Sequence, residues 1–173
     1  MAVPKLIVFD LDFTMWDPEM YQLDGAPFSY RNGKVYDRRN TEVDLFPDVR
    51  NILQRIHFSE EFAETKIGSA SRTEYPEWAY ECMSLIDVCD GMKMREFFTF
   101  NEIYPGTKTK HFRKLQKDSQ VDYEDMLFFD DCSWNCRDVS ALGVTAFNCP
   151  NGLSEREFNE ALDIFAQKTS PSS

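Results

Sequence analysis

Apolar residues in this chain come in short continuous runs, separated by stretches with helical spacing. Leu6-Ile7-Val8-Phe9 is apolar at every position and stops on an acid, Asp10, which predicts a short strand buried on both faces. Val49, Ile52, Leu53 and Ile56 recur at the spacing of one helix face behind Pro47, so a helix is expected there, ending near Phe58. A second strand is predicted over about 64–70, followed by a helix carrying Trp78, Ala79, Cys82 and Leu85. Phe97-Phe98-Thr99-Phe100 reads as a third strand, and a helix is expected from Lys108 to about Lys117. Met126-Leu127-Phe128-Phe129 repeats the pattern of the first run, including the acids that end it, Asp130-Asp131. A helix over 135–142, a strand over 144–147 and a last helix complete the series. That helix opens on the capping box Ser154/Glu157 and runs to about Gln167. Residues 169–173 are polar and read as a loose tail.

Residues 15–45 break the alternation. Trp16, Pro18, Pro27 and the Asn32-Gly33 pair punctuate any helix. Asn-Gly between Ser29-Tyr30-Arg31 and Lys34-Val35-Tyr36 predicts a tight hairpin, because both turn residues tolerate positive φ. The segment reads as a flap over the end of the first strand, and inserts of this length are usually functional. The remaining strand–helix alternation predicts an α/β fold: a three-layer Rossmann-like parallel sheet with helices on both faces. The expected organisation is one domain over 1–168 with a β-hairpin flap insertion at 15–45 and no large cap domain.

Composition narrows the function. A hydrophobic fraction of 42% fits a globular chain that buries a core. The formal net charge of -11 argues against a protein that clamps nucleic acid, while leaving room for a local basic pocket. No apolar run reaches membrane-spanning length, and Met1-Ala2-Val3-Pro4-Lys5 lacks secretory-signal features, so a cytoplasmic monomer without a membrane partner is expected. Five cysteines fit no disulfide framework and read as reduced thiols. Cys132 and Cys136 have no nearby histidine to make a zinc site, and Cys132 and Arg137 are one residue too close for a Cys-x5-Arg phosphatase loop.

Open α/β folds hold ligands beyond the carboxyl ends of their strands, and the polar clusters of this chain fall there. Asp10 and Asp12, two residues apart, repel unless a cation or a shared proton compensates them, which predicts a divalent metal site. Mg2+ is the natural ion, being hard and oxygen-seeking, with Asp131 as a further carboxylate. Asp10 is placed to attack a phosphate and form an acyl phosphate, and Asp12 to protonate the leaving oxygen and then activate water. Ser71 and Arg72 are expected to bind the phosphate, Arg72 by a forked contact. Lys108 reaches the phosphoryl oxygens as a point charge and offsets the acids. Thr14, Asp130 and Asn135 are candidate supports. A receiver-like phosphoacceptor domain, a phosphotransferase or mutase, and a non-catalytic phosphate-binding protein are the alternatives.

With these motifs in place, the sequence resembles the haloacid dehalogenase superfamily of phosphatases. Asp10-Leu11-Asp12-Phe13-Thr14 is similar to its first motif, Ser71 to the second, Lys108 to the third and Asp131 to the metal aspartate of the fourth. Asn135 stands where many members carry another acid. Within the superfamily the chain resembles the magnesium-dependent phosphatase 1 family. The matching pieces are Phe9-Asp10-Leu11-Asp12 with Thr14 and Trp16, Ala70-Ser71-Arg72-Thr73, Ile103-Tyr104-Pro105-Gly106 with Lys108, and Phe128-Phe129-Asp130-Asp131. The hairpin and Asp37-Arg38-Arg39 resemble that family's flap, while Phe13-Thr14-Met15-Trp16-Asp17 departs from its usual Tyr-Thr-Leu-Trp-Pro. The resemblance implies a capless phosphatase with bound Mg2+, held by Asp10, Asp131 and a backbone carbonyl, that of Asp12. It implies a phosphoprotein or a phosphorylated small molecule as partner, with phosphotyrosine and some sugar phosphates as substrates. Trp16, Phe28 or Tyr30 are expected to pack on a substrate ring.

Overall fold

β1 (Leu6–Phe9) runs through the middle of the molecule, and none of its four side chains is exposed. The computed structural model describes residues 2–169. After β1 the chain forms β2 (Trp16–Asp17), β3 (Ser29–Arg31), β4 (Lys34–Tyr36) and β5 (Glu42–Leu45), then α1 (Val49–Phe58), β6 (Lys66–Ser71) and α2 (Pro76–Leu85). β7 (Asp87–Cys89), β8 (Met92–Lys93), β9 (Phe100–Ile103) and α3 (Lys108–Ser119) follow. The series closes with β10 (Met126–Asp130), α4 (Ser133–Ser140), β11 (Thr145–Asn148) and α5 (Glu155–Thr169). No described helix is long and apolar enough to cross a membrane, and all five cysteines are free thiols.

The central sheet has the order β11-β10-β1-β6-β9, and all its neighbours are parallel. Alternation in β1 and β10 divides the core. Leu6, Val8, Met126 and Phe128 pack with Phe112 and Leu115 of α3 and Val139 of α4. Ile7, Phe9, Leu127 and Phe129 face the other way, onto Ile52, Leu53 and Ile56 of α1 and Phe158, Leu162 and Phe165 of α5. Phe9 stacks on Phe129 at 5.5 Å and Phe129 on Phe158 at 5.7 Å, tying two strands to a helix. Burying each such side chain contributes about 1.5–3 kcal/mol. The three-layer parallel α/β fold expected from the sequence is the fold observed, with no large cap domain among the described residues.

Four differences have physical causes. The third strand of the sheet lies at Phe100–Ile103, and Met94–Phe97 form a 3-10 turn instead. Phe97 and Phe98 are buried without being a strand, while β9 is an edge strand and accommodates polar Asn101 and Glu102. The flap is more than a hairpin: β2-β5-β4-β3 form a four-stranded sheet. Its predicted turn is present, with φ of 52° at Asn32 and 80° at Gly33. Behind it the buried Asp37 carboxylate accepts the backbone N–H groups of Asp24, Arg39 and Thr41 at 2.8–2.9 Å. Burial disfavours the Asp37 charge, but these donors outweigh it and hold its pKa below the usual carboxylate value. The β7–β8 hairpin was not among the expected elements, although Asp90-Gly91 between its strands, with φ of 76° at Gly91, is a two-residue turn signal of the same kind as Asn32-Gly33. It anchors the flap, because Asp87 accepts the Tyr30 hydroxyl and, at 2.7 Å, the Lys93 ammonium. Thr169, expected in the tail, ends α5 with its hydroxyl on the Phe165 carbonyl at 3.1 Å; residues 170–173 lie outside the described residues.

Candidate active site

Three adjacent parallel strands, β6, β1 and β10, end at the same edge, and their tips carry Ser71, Asp10 and Asp130. Just beyond β1 the chain turns sharply. Phe13 takes a left-handed φ of 57°, and the N–H groups of Thr14 and Met15 both return to the Leu11 carbonyl. That conformation costs a bulky residue on the order of 1 kcal/mol, partly offset by the edge-on contact of Phe13 with Phe46 at 5.4 Å. The turn folds Thr14 back beneath Asp10. Its fully buried hydroxyl donates to Asp10 Oδ2 at 2.9 Å and accepts the Asp131 N–H at 3.0 Å. One hydroxyl thereby joins the tip of β1 to the loop after β10.

Lys108 is the first residue of α3, positioned by the N-cap Thr107. It is 2% exposed, and its Nζ reaches Asp10 Oδ1 at 2.9 Å, Asp130 Oδ2 at 3.2 Å and the Ala70 carbonyl. Asp130 is saturated from other sides too, by the Cys132 N–H at 2.9 Å and Asn135 Nδ2 at 3.1 Å. Asn135 in turn accepts Arg72 Nη1 at 3.1 Å, which orients the exposed guanidinium. Oxygens of Asp10, Asp130 and Asp131 all lie within 4.8 Å of one another. The Asp12 side chain stands apart from that cluster. Its Oδ1 accepts the Trp16 indole N–H at 2.8 Å and the Met20 N–H at 3.1 Å. Asp10, Asp12, Ser71, Arg72, Lys108, Asp130, Asp131 and Asn135 all line one open cleft of about 760 Å³, with Thr14 beneath it.

The Acid Phosphatase family profile matches residues 2–168. The chain belongs to the Acid Phosphatase family. It is 36% identical over 166 residues to human magnesium-dependent phosphatase 1, covering 95% of this chain and 89% of that protein. It is 37% identical over 148 residues to a HAD-like hydrolase superfamily protein of Schizosaccharomyces pombe, covering 82% and 83% of the two chains. These matches agree with the resemblance read from the motifs. Among solved structures, a HAD family enzyme from Bacteroides thetaiotaomicron, crystallised with magnesium and inorganic phosphate, superposes with a TM-score of 0.64. That likeness covers 91% of this chain and 99% of the other at 14% identity, and shows the shared fold.

The electrostatics of this Acid Phosphatase family site follow from packing several acids around one ammonium. Burial pushes the Asp10 carboxyl up to about 6, against the pull of Lys108 and with Asp131 adding to the rise. Burial likewise pushes Asp130 up to about 6, helped by the Asp10 charge and opposed by Lys108. Asp131 is raised too, chiefly by burial. Asp12 is pushed up to about 6 by burial and the Asp10 charge, against the Trp16 N–H. Burial opposes the charge on Lys108, but facing Asp10 and Asp130 outweighs it and raises its pKa. A cluster of hard oxygen donors whose ionised form is disfavoured gains from a divalent cation, so the residues present fit Mg2+.

Sequence reasoning did not find Glu19, Tyr21, Glu74 and Trp134, which also line the cleft. Trp134 follows Asp131 by three residues and could have been found from that proximity. Tyr21 sits in a flap whose path no periodicity reveals. The aromatic residues expected against a substrate ring are elsewhere. Trp16 is fully buried, Phe28 is 7% exposed with its ring against Trp78, and the Tyr30 hydroxyl is held by Asp87.

Proposed function

We propose that this protein is a Mg2+-dependent phosphatase that hydrolyses phosphate monoesters, phosphotyrosine foremost, through an aspartyl phosphate on Asp10. The observation that carries the reading is the setting of Asp10. It stands at the tip of β1 on an open cleft, with one oxygen on Lys108 and the other on Thr14, both at 2.9 Å. The metal would be held by the Asp10 and Asp131 carboxylates and the main-chain carbonyl of Asp12. When bound it neutralises charge on the phosphoryl oxygens.

In the first step an Asp10 oxygen attacks phosphorus, the ester P–O bond breaks, and the leaving oxygen takes the Asp12 proton. In the second, the Asp12 carboxylate takes a proton from water, whose oxygen attacks the same phosphorus. The bond to Asp10 breaks and inorganic phosphate leaves. A carboxyl raised to about 6 suits both duties, since it gives and regains a proton near neutral pH. Ser71 and Arg72 hold phosphoryl oxygens, and Lys108 keeps Asp10 ionised while offsetting incoming negative charge. Residues 15–45 act as an insertion within this one catalytic domain.

Phosphate release from phosphotyrosine and from sugar phosphates, with and without Mg2+, tests the reading. Turnover should require the metal and fall by about three orders of magnitude or more in Asp10→Asn. Asp12→Asn should lose about 10²–10⁴-fold and trap labelled phosphate on the protein. Near-normal release by Asp10→Asn would overturn the nucleophile assignment. A wild-type protein that keeps its phosphate would be a phosphoacceptor instead.

A further inference from the structure

Two aromatic side chains stand out on the surface of the cleft. Tyr21 is 66% and Trp134 61% exposed, the two highest values among the large hydrophobic residues described, and both line the cavity that ends on Asp10. Single exposed aromatics are ordinary. What sets these two apart is that they line the cleft, while the other exposed aromatic rings pack elsewhere, Phe58 against His57 and Phe97 among them. The exposed Tyr75 is stacked on Trp78 at 4.2 Å, and Tyr30 is fixed by Asp87, so each has a role in packing the fold.

The backbone carrying each cleft aromatic is fastened to the catalytic acids. Tyr21 follows Met20, whose side chain is fully buried and whose N–H is bonded to Asp12 at 3.1 Å. Trp134 precedes Asn135, which bonds Asp130 at 3.1 Å and Arg72 at 3.1 Å. The backbone positions that carry the two rings are therefore set by different elements, one by the flap and one by α4. The remaining acids of the cleft, Glu19 and Glu74, repel any second anionic group on the ligand. Such a rim favours a flat, uncharged group attached to one phosphate, which Arg72 and Lys108 would face.

Resting on the reading of Asp10 as phosphoryl acceptor, we propose that Tyr21 and Trp134 form the leaving-group subsite and select aryl over alkyl phosphates. Both rings offer a π-face to an aromatic leaving group, and neither offers much to an aliphatic one. Each contact should be worth about three- to tenfold in preference, the range of one aromatic pair.

Benzylphosphonate and methylphosphonate, which carry the phosphonate on carbon and are not hydrolysed, test the subsite apart from turnover. With Mg2+ present, calorimetry should show the wild type preferring benzylphosphonate. The preference should fall about three- to tenfold in Tyr21→Ala and in Trp134→Ala, and survive largely in Trp134→Phe. Benzylphosphonate should change tryptophan emission more in the wild type than in Trp134→Phe, which keeps Trp16 on Asp12. In steady-state assays the variants should lower kcat/KM for phosphotyrosine relative to phosphoserine, mainly through KM. A wild type with no benzyl preference, or a double variant that keeps it, would overturn the subsite. Equal losses for aryl and sugar phosphates would overturn the aryl assignment. If binding preference is intact but no ester is hydrolysed, the subsite stands and the phosphatase reading fails.

Discussion

Asp10 and Asp12 are two residues apart, yet different halves of the molecule hold them. Asp10 belongs to the core: its partners are Lys108 from α3 and Thr14, whose hydroxyl also receives the Asp131 N–H from the end of β10. Asp12 belongs to the flap, with its carboxylate on the Trp16 indole and the Met20 N–H. Burial drives both carboxyls up to about 6, but an ammonium opposes the rise at Asp10 and a neutral N–H opposes it at Asp12. An ammonium neutralises charge outright, whereas a neutral donor only adjusts it. The arrangement suits the proposed division of labour. The group proposed to attack is kept ionised by Lys108 of α3, and the group proposed to trade protons is tuned from an insertion.

Breaking the core side should do most damage. Lys108→Met leaves Asp10 and Asp130 buried without their ammonium, and should destabilise the fold by about 3–5 kcal/mol in urea unfolding. A loss under about 1 kcal/mol would mean that the acids take up protons instead of charge. Thr14→Val keeps the shape and removes the shared hydroxyl, stranding the Asp131 N–H. The expected cost is about 1–3 kcal/mol. Mg2+ should bind about 10–100-fold more weakly by calorimetry, since a group orienting two proposed ligands, Asp10 and Asp131, is lost. On the flap side, Trp16→Phe removes one neutral donor and should lower kcat/KM by less than about tenfold. That donor favours the ionised form of Asp12, so without it the proton is held more tightly. The limb of the pH–rate profile set by Asp12 should therefore move to higher pH. A shift to lower pH, or none, would sink the assignment of Asp12 as the titrating group.

The same two halves explain what could be read from the chain. β1 and β10 were legible because strands buried on both faces are continuously apolar, and acids directly after them mark the functional edge. Every candidate catalytic, phosphate-binding or metal-site side chain except Thr14 falls on the cleft, because one topological rule places all parallel strand ends together. The candidate aromatics Trp16, Phe28 and Tyr30 do not line it. β9 was misplaced because edge strands need no apolar run. The flap was legible only at Asn32-Gly33, where turn chemistry is local. The rest of the flap is held by contacts between residues apart in sequence, such as Asp37 with Asp24, Tyr30 with Asp87 and, beside Tyr21, Met20 with Asp12. The full part played by Asp130 was hidden for a related reason. Its donors come from Lys108, Cys132 and Asn135, a set that exists only once three elements meet.

The flap enters and leaves the core through strands that pair with each other, Trp16 opposite Leu45. A segment whose two ends are already side by side places no demand on the length of what lies between them. Its far tip, Asn32-Gly33, is exposed and has open space around the glycine. Extra residues grafted there would add a loop-closure cost that grows only with the logarithm of their number. The fold thus carries a built-in port at which a longer cover could be installed over the same strand ends, turning an open phosphatase scaffold into an enclosed one without redesigning the sheet.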